Sequence, residues 1–155
     1  MHKMLSCLRA LWLMALFQVA RIVFTLTRRR VRGALVAVWH KGLILVVRKS
    51  YRKGWSVPGG LLKKGESRQQ GAVRELFEEV GVRMDQALLH YVAEVPGDLG
   101  PGDRAHLFEV KLADPVDVRI DGWEIVEAEF VTPQTALGRV LNQDLRKYLQ
   151  KHTTA

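Results

Sequence analysis

Residues Gly60 to Val82 read GLLKKGESRQQGAVRELFEEVGV, and at their centre Glu75, Glu78 and Glu79 crowd into five positions. Positions i, i+3 and i+4 share one helical face, so a helix here stacks three like charges side by side. Such a face repels itself unless a cation or protonation relieves it. A hard divalent cation such as Mg2+ suits it, because Mg2+ takes carboxylates, waters and substrate phosphates and not nitrogen or sulfur ligands. Arg74 and Glu66 frame the acid cluster.

The flanking residues predict a loop running into that helix. Pro58-Gly59-Gly60 and Gly65 call for a tight, permissive backbone. Ser67 with Gln70 three positions on forms a capping box, and Gly81 closes the helix as a left-handed residue. Ala72, Val73, Leu76 and Val80 make an apolar face that is expected to pack on a sheet. Gly71, a poor helix former, reads as a close-packing position.

This stretch resembles the signature of the Nudix hydrolases without a gap or a mismatch: glycine, five residues, glutamate, seven residues, then Arg-Glu-apolar-any-Glu-Glu-any-Gly-apolar. The matching positions are Gly60, Glu66, Arg74, Glu75, Leu76, Glu78, Glu79, Gly81 and Val82, and Trp55-Ser-Val-Pro-Gly-Gly resembles the family's entry into the motif. Nine constrained positions at fixed spacing are far more specific than a lone glycine motif. The resemblance implies a mixed-sheet α/β/α sandwich over about 33–149. It implies Mg2+, or Mn2+, held by Glu75, Glu78 and Glu79 with a backbone carbonyl from Gly59 or Gly60. In that reading Glu75 is base or ligand, Glu66 and Arg74 orient the cluster, and Arg48 at a strand end meets substrate phosphate. The reaction implied is hydrolysis of a diphosphate linkage in a small nucleoside diphosphate derivative or nucleoside triphosphate. The rival class is a domain of this family that only senses ligand at a membrane; every acid of the motif is nonetheless present.

Composition bounds the rest. A chain of 155 residues holds one main core, and a lone Cys7 excludes a disulfide framework and a cysteine zinc site. Seven of the 24 basic residues lie in 1–32, which contain no acid; the other 17 face 16 acidic groups, so the domain from residue 33 is nearly neutral. No nucleic-acid-binding motif accompanies the charge, and no nucleic-acid partner is expected.

Residues 1–32 form a second segment. Ala10 to Ala20 carry no charge, and Ile22 to Thr27 continue beyond Arg21. As a helix the segment is apolar nearly all round, borderline for spanning a bilayer, which takes about 20 apolar residues. Four readings remain open: an interfacial or spanning anchor on an anionic membrane, a cleaved targeting peptide, an extra helix packed on the domain, or an over-long start. A spanning helix followed by Arg28, Arg29 and Arg30 would leave the domain on the cytoplasmic side.

In the domain proper, 34–39 and 43–47 are expected to form a hairpin turning at Gly42. Further strands are expected at 87–95, 106–112 and 124–131, with a Pro- and Gly-rich loop over 96–103. Thr132 and Pro133 then open a single C-terminal helix whose buried stripe is Leu137, Val140, Leu141, Leu145, Tyr148 and Leu149. Glu94 and Glu127 are candidate extra acids, each competing with an ordinary surface role. His40, His90 and His106 lack zinc-like spacing. Pro96 lies near the position of a proline in family members acting on ADP-ribose, and the tyrosine expected of dinucleoside-polyphosphate hydrolases is missing. Compact substrates are therefore expected over long ones.

Overall fold

Strand β1 (Arg32–His40) turns through Lys41 and Gly42, both at positive φ (48° and 78°), into β2 (Leu43–Lys49). Two consecutive residues of that hand give a tight hairpin whose twist matches its strands. The chain continues through β3 (Trp55–Ser56), β4 (Gly59–Leu61), helix α1 (Arg68–Val80) and a 3-10 turn at Gln86–Leu88. It then forms β5 (His90–Pro96), β6 (Arg104–Leu112), β7 (Ile125–Val131), α2 (Pro133–Arg139) and α3 (Gln143–Lys151). These come from a computed structural model, which describes residues 11–12, 15–19, 22–23, 32–97, 99, 102–120, 122–140 and 142–153.

The expected caps of α1 are present. Ser67 Oγ accepts from Gln70 N, Gln70 Oε1 accepts from Ser67 N, and Gly81 sits at φ 72°. Gly71 is a close-packing position, since a Cβ there would lie 2.2 Å from Leu62 Cδ2.

The seven-stranded sheet is mixed. Strand β6 pairs parallel to β1 along its whole length, while the other pairings are antiparallel, in the order β3-β2-β1-β6-β5, with β4 on β1 and β7 on β2. Because β6 occupies one edge of β1, the other edge is shared: β2 takes Trp39 and His40, and β4 takes Gly33 to Leu35. The strands β1 and β2 therefore splay apart, and the Pro58-Gly59-Gly60 turn fills the gap, with Val36 N donating to Pro58 O at 2.9 Å.

Alternation along β1 and β2 sends side chains to two separate cores, which accounts for apolar runs lacking a polar face. Ala34, Val36, Val38, Leu45 and Val47 pack under Ala72, Leu76 and Val80 of α1. Ala37, Trp39, Ile44 and Val46 pack under Val140, Leu145, Tyr148 and Leu149 on the opposite side. The expected α/β/α sandwich is the observed architecture.

Two expectations need correction. Residues 86–88 form a 3-10 turn capped by Asp85, and the strand begins only at His90. The single C-terminal helix is two, because Val140 is extended (φ −77°, ψ 128°) and bridges Trp55, after which Asn142 Oδ1 caps a new start by accepting from Asp144 N and Leu145 N. Leu141 of the expected stripe lies outside the described residues, and Leu137 is only partly buried. Most of the N-terminal segment also lies outside them; residues 11–12, 15–19 and 22–23 are helical, and among the described residues no helix is long and apolar enough to cross a membrane.

Gly59 is the backbone position on which the splay turns. Its φ is 148°, and a Cβ would lie 2.1 Å from Ala34 O and 2.8 Å from Leu35 Cα. Gly59→Ala is expected to cost at least ~2 kcal/mol, because both the clash and the dihedral oppose any side chain. Urea unfolding of the variant measures this, and an unchanged midpoint would mean that the turn relaxes freely.

Candidate active site

Four acids of α1 and its approach loop are gathered by three cationic side chains. Arg74 Nε donates to Glu66 Oε1 at 2.8 Å and its Nη2 to Glu66 Oε2 at 3.0 Å, a two-pronged pair that Lys63 N extends by donating to Oε2 at 2.8 Å. Arg74 Nη1 donates to Glu75 Oε1 at 2.6 Å and to Glu78 Oε2 at 2.8 Å, while Nη2 also reaches Leu61 O at 2.9 Å. Lys63 Nζ donates to Glu78 Oε1 at 3.1 Å. One guanidinium thus serves three carboxylates.

The third cation, Lys49, is buried at the end of β2, where it donates from Nζ to Gly59 O at 2.8 Å and to Glu79 Oε1. Gly59 N donates to the other Glu79 oxygen at 2.9 Å, and Glu124 Oε1 stands 3.4 Å from Lys49 Nζ. Tyr51 donates to that same Glu124 oxygen at 2.7 Å. Glu75 reaches the turn differently: a Cβ on Gly60 would lie 2.6 Å from its Cδ, so only glycine lets that carboxylate rest on the backbone.

Each acid is tuned by these partners. The Arg74 hydrogen bonds hold Glu66 down at about 2. Burial pushes Glu75 upward against the pull of Arg74. Burial would raise Glu78 as well, but the hydrogen bonds from Lys63 and Arg74 outweigh it and keep Glu78 low. Burial pushes Glu79 upward against the pull of Lys49 and the Gly59 N–H. For Lys49, burial favours the neutral amine, but Glu79, Tyr51 and Glu124 together outweigh it and hold the ammonium charged.

The like charges are therefore relieved by Arg74, Lys63 and Lys49 in this arrangement. Among the described residues no three acid or imidazole groups enclose an ion site, since each carboxylate is turned to a cation. The donor set still fits a hard divalent ion: the ligating atoms available are all oxygens, Gly60 cradles Glu75, and Glu75 and Glu78 open on one cleft of about 610 Å3 that Gly59, Gly60, Arg74 and Glu124 also line.

The structure brings together Gly60, Glu66, Arg74, Glu75, Glu78 and Glu79. It places Arg48 on the other face of the sheet, in an ion pair with Glu127 on neighbouring β7. Glu94 pairs with Arg104 at 3.6 Å on the surface. His106 on β6 is enclosed, its ring 6.2 Å from that of Tyr91 on neighbouring β5, and burial holds its pKa down. Sequence reading missed Lys49, Tyr51 and Glu124. Lys49 was findable, because Leu45 and Val47 face α1 and the next residue of period two is Lys49. Glu124 was not, since its place depends on pairing between β2 and β7.

The NUDIX domain model matches residues 21–152. The chain belongs to the Nudix family. An octanoyltransferase from Myxococcus xanthus is 36% identical over 115 residues, which is 71% of this chain and 32% of that protein, so the chain spans about a third of this curated relative's length. An Ap4A hydrolase from C. elegans superposes with a TM-score of 0.67 at 21% identity, covering 80% of this Nudix chain and 96% of that one. A bifunctional NMN adenylyltransferase/ADP ribose pyrophosphatase from Francisella tularensis, complexed with AMP and a Mn ion, superposes at 0.63 with 19% identity over 80% of this chain and 42% of that one. At these identities the two structures show the Nudix fold alone.

Two outcomes follow for stability. Lys49→Met leaves Glu79 buried without its counter-ion and is expected to cost ~3 kcal/mol at pH 8, most of it recovered in Lys49→Met/Glu79→Gln; equal urea midpoints for the two variants would contradict the pairing. Glu66 is depressed in the folded state to about 2, so its contribution is present above the ordinary carboxylate range and lost as pH falls toward 2. Glu66→Gln is expected to flatten the stability profile in that acid window alone, a difference read from denaturation midpoints between pH 5 and 2.

Proposed function

We propose that this Nudix chain is a Mg2+-dependent pyrophosphohydrolase acting on a compact nucleoside diphosphate derivative or nucleoside triphosphate. The observation that carries the reading is the convergence of Glu75 and Glu78 with Gly59 and Gly60 at one cleft, backed by buried Glu79. Glu75, Glu78 and Glu79, with a carbonyl of Gly59 or Gly60, would hold the divalent ion, which supplies neutralisation of phosphate oxygens and an activated water; Mn2+ has the same donor preference. Glu75 is base or ligand: with Oε1 occupied by Arg74, its Oε2 would take either the ion or the proton of the attacking water. Glu66 and Arg74 keep the cluster in register. Arg48 as a phosphate contact lies outside this reading, since its ion pair with Glu127 is on the other face of the sheet.

The cationic N-terminal segment supports a second element of the reading, contact with an anionic membrane surface on the cytoplasmic side. Trp12 and Val19 are 69% and 58% exposed on a helical stretch flanked by arginines, the composition of an interfacial helix. Cosedimentation of the intact chain with anionic vesicles, reduced by Trp12→Ser and Val19→Ser together, is the expected result; equal recovery with neutral vesicles would contradict it.

Purified protein with Mg2+ is expected to turn over nucleoside diphosphate sugars, ADP-ribose or nucleoside triphosphates faster than diadenosine tetraphosphate, and chelation is expected to abolish the activity. Glu78→Gln, at a half-exposed position, is expected to lower kcat by about 100-fold or more without altering the unfolding midpoint. Nucleotide binding with no turnover would identify a sensor, and fastest cleavage of diadenosine tetraphosphate would overturn the substrate class.

A further inference from the structure

The cleft has two unlike halves. Glu75, Glu78 and Arg74 line one, and apolar side chains line the other, including Leu35, Leu61 and Leu99 of the domain and Leu16 and Phe17 of the N-terminal helical stretch. The Phe17 ring packs against Tyr51, with centroids 5.1 Å apart and planes tilted by 39°. Tyr51 is itself fixed by the acid cluster, through its hydroxyl on Glu124 and through Lys49 Nζ, which lies 5.8 Å from its ring centroid. Phe17 is therefore positioned by the same groups that order the polar half of the cleft. It is only partly buried there, so the pair is an aromatic surface in the cleft and not a sealed core contact.

We infer that Phe17 is a specificity-determining residue: with Tyr51 it forms the platform on which the planar base of the substrate nucleotide stacks while the diphosphate lies toward Glu75 and Glu78. This rests on the hydrolase reading above and adds the substrate's aromatic moiety to it. Every nucleobase has a π face, and stacking on an aromatic side chain is largely indifferent to which base it is. The N-terminal stretch is then a wall of the substrate pocket, whatever else it contacts through its outer side chains.

The test uses the full chain with Mg2+ and compares a nucleoside diphosphate sugar with a base-free diphosphate diester of the same sugar. Phe17→Leu keeps apolar bulk and removes the ring. It is expected to raise KM for the nucleotide by about 10-fold, leave kcat unchanged, and leave both constants unchanged for the base-free compound. Phe17→Trp retains the ring and is expected to keep KM at or below the wild-type value. Equal nucleotide KM in wild type and Phe17→Leu overturns the inference, as does an equal rise with both substrates, which would mark simple packing. Binding of the α,β-methylene analogue of the nucleotide separates this from the hydrolase reading. If the wild type binds the analogue but cleaves nothing, hydrolysis fails, and a Kd about 10-fold weaker in Phe17→Leu still supports the platform. No binding by the wild type, or an unchanged Kd in the variant, overturns it.

Discussion

The ammonium of Lys49 ties together the end of β2, the Gly59 turn and helix α1, which are far apart in sequence. It donates to Gly59 O and Glu79, and Gly59 N donates back to the second oxygen of Glu79, closing a ring of charge-assisted hydrogen bonds in the interior. A buried ion pair is favourable only when its remaining polar atoms are satisfied, because desolvating two charges costs several kcal/mol per ion. Here the backbone of the splayed turn supplies those partners. The turn is in place because β6 fills one edge of β1 and β4 shares the other with β2, and only glycine at 59 allows the backbone to approach Ala34 and Leu35. Topology, glycine and ion pair are one arrangement seen from three sides.

Arg74 plays the complementary role near the surface. Its guanidinium spans Glu66, Glu75 and Glu78 and reaches Leu61 O, so the loop before α1 is bound to the middle of the helix. Lysine could not do this, since a point charge lacks the planar fork of donors. The result is a set of carboxylates whose proton affinities differ although they sit on adjacent turns: Glu66 and Glu78 low, Glu75 and Glu79 raised.

Local chemistry was the legible part of this chain. The capping box at Ser67 and Gln70, the Gly81 stop, the hairpin at Gly42 and the Thr132-Pro133 start each depend on a few neighbouring residues, and each is present. The break at Val140 was not legible, because the strand-like bridge to Trp55 overrides a continuous apolar stripe. The acids of the motif were legible as a group, but what relieves them was not: the Lys49 contact joins residues 30 apart, and the Glu124 contacts join residues more than 70 apart. A charge pattern in sequence shows that compensation is needed without showing which cation supplies it.

The sheet also bears on how copies of the chain meet one another. An edge strand offers unpaired N–H and C=O groups to any neighbouring chain, and one edge here, β5, is interrupted. Strand β5 shifts register between Tyr91 and Ala93 and ends at Pro96, which has no N–H to give. Glu94 adds a charge to that edge. Intermolecular strand pairing is thereby discouraged along β5, whereas β7, seven residues long and paired with β2 on one side, is the edge on which a neighbouring strand would have to add, beside its charged Glu127 and Glu129.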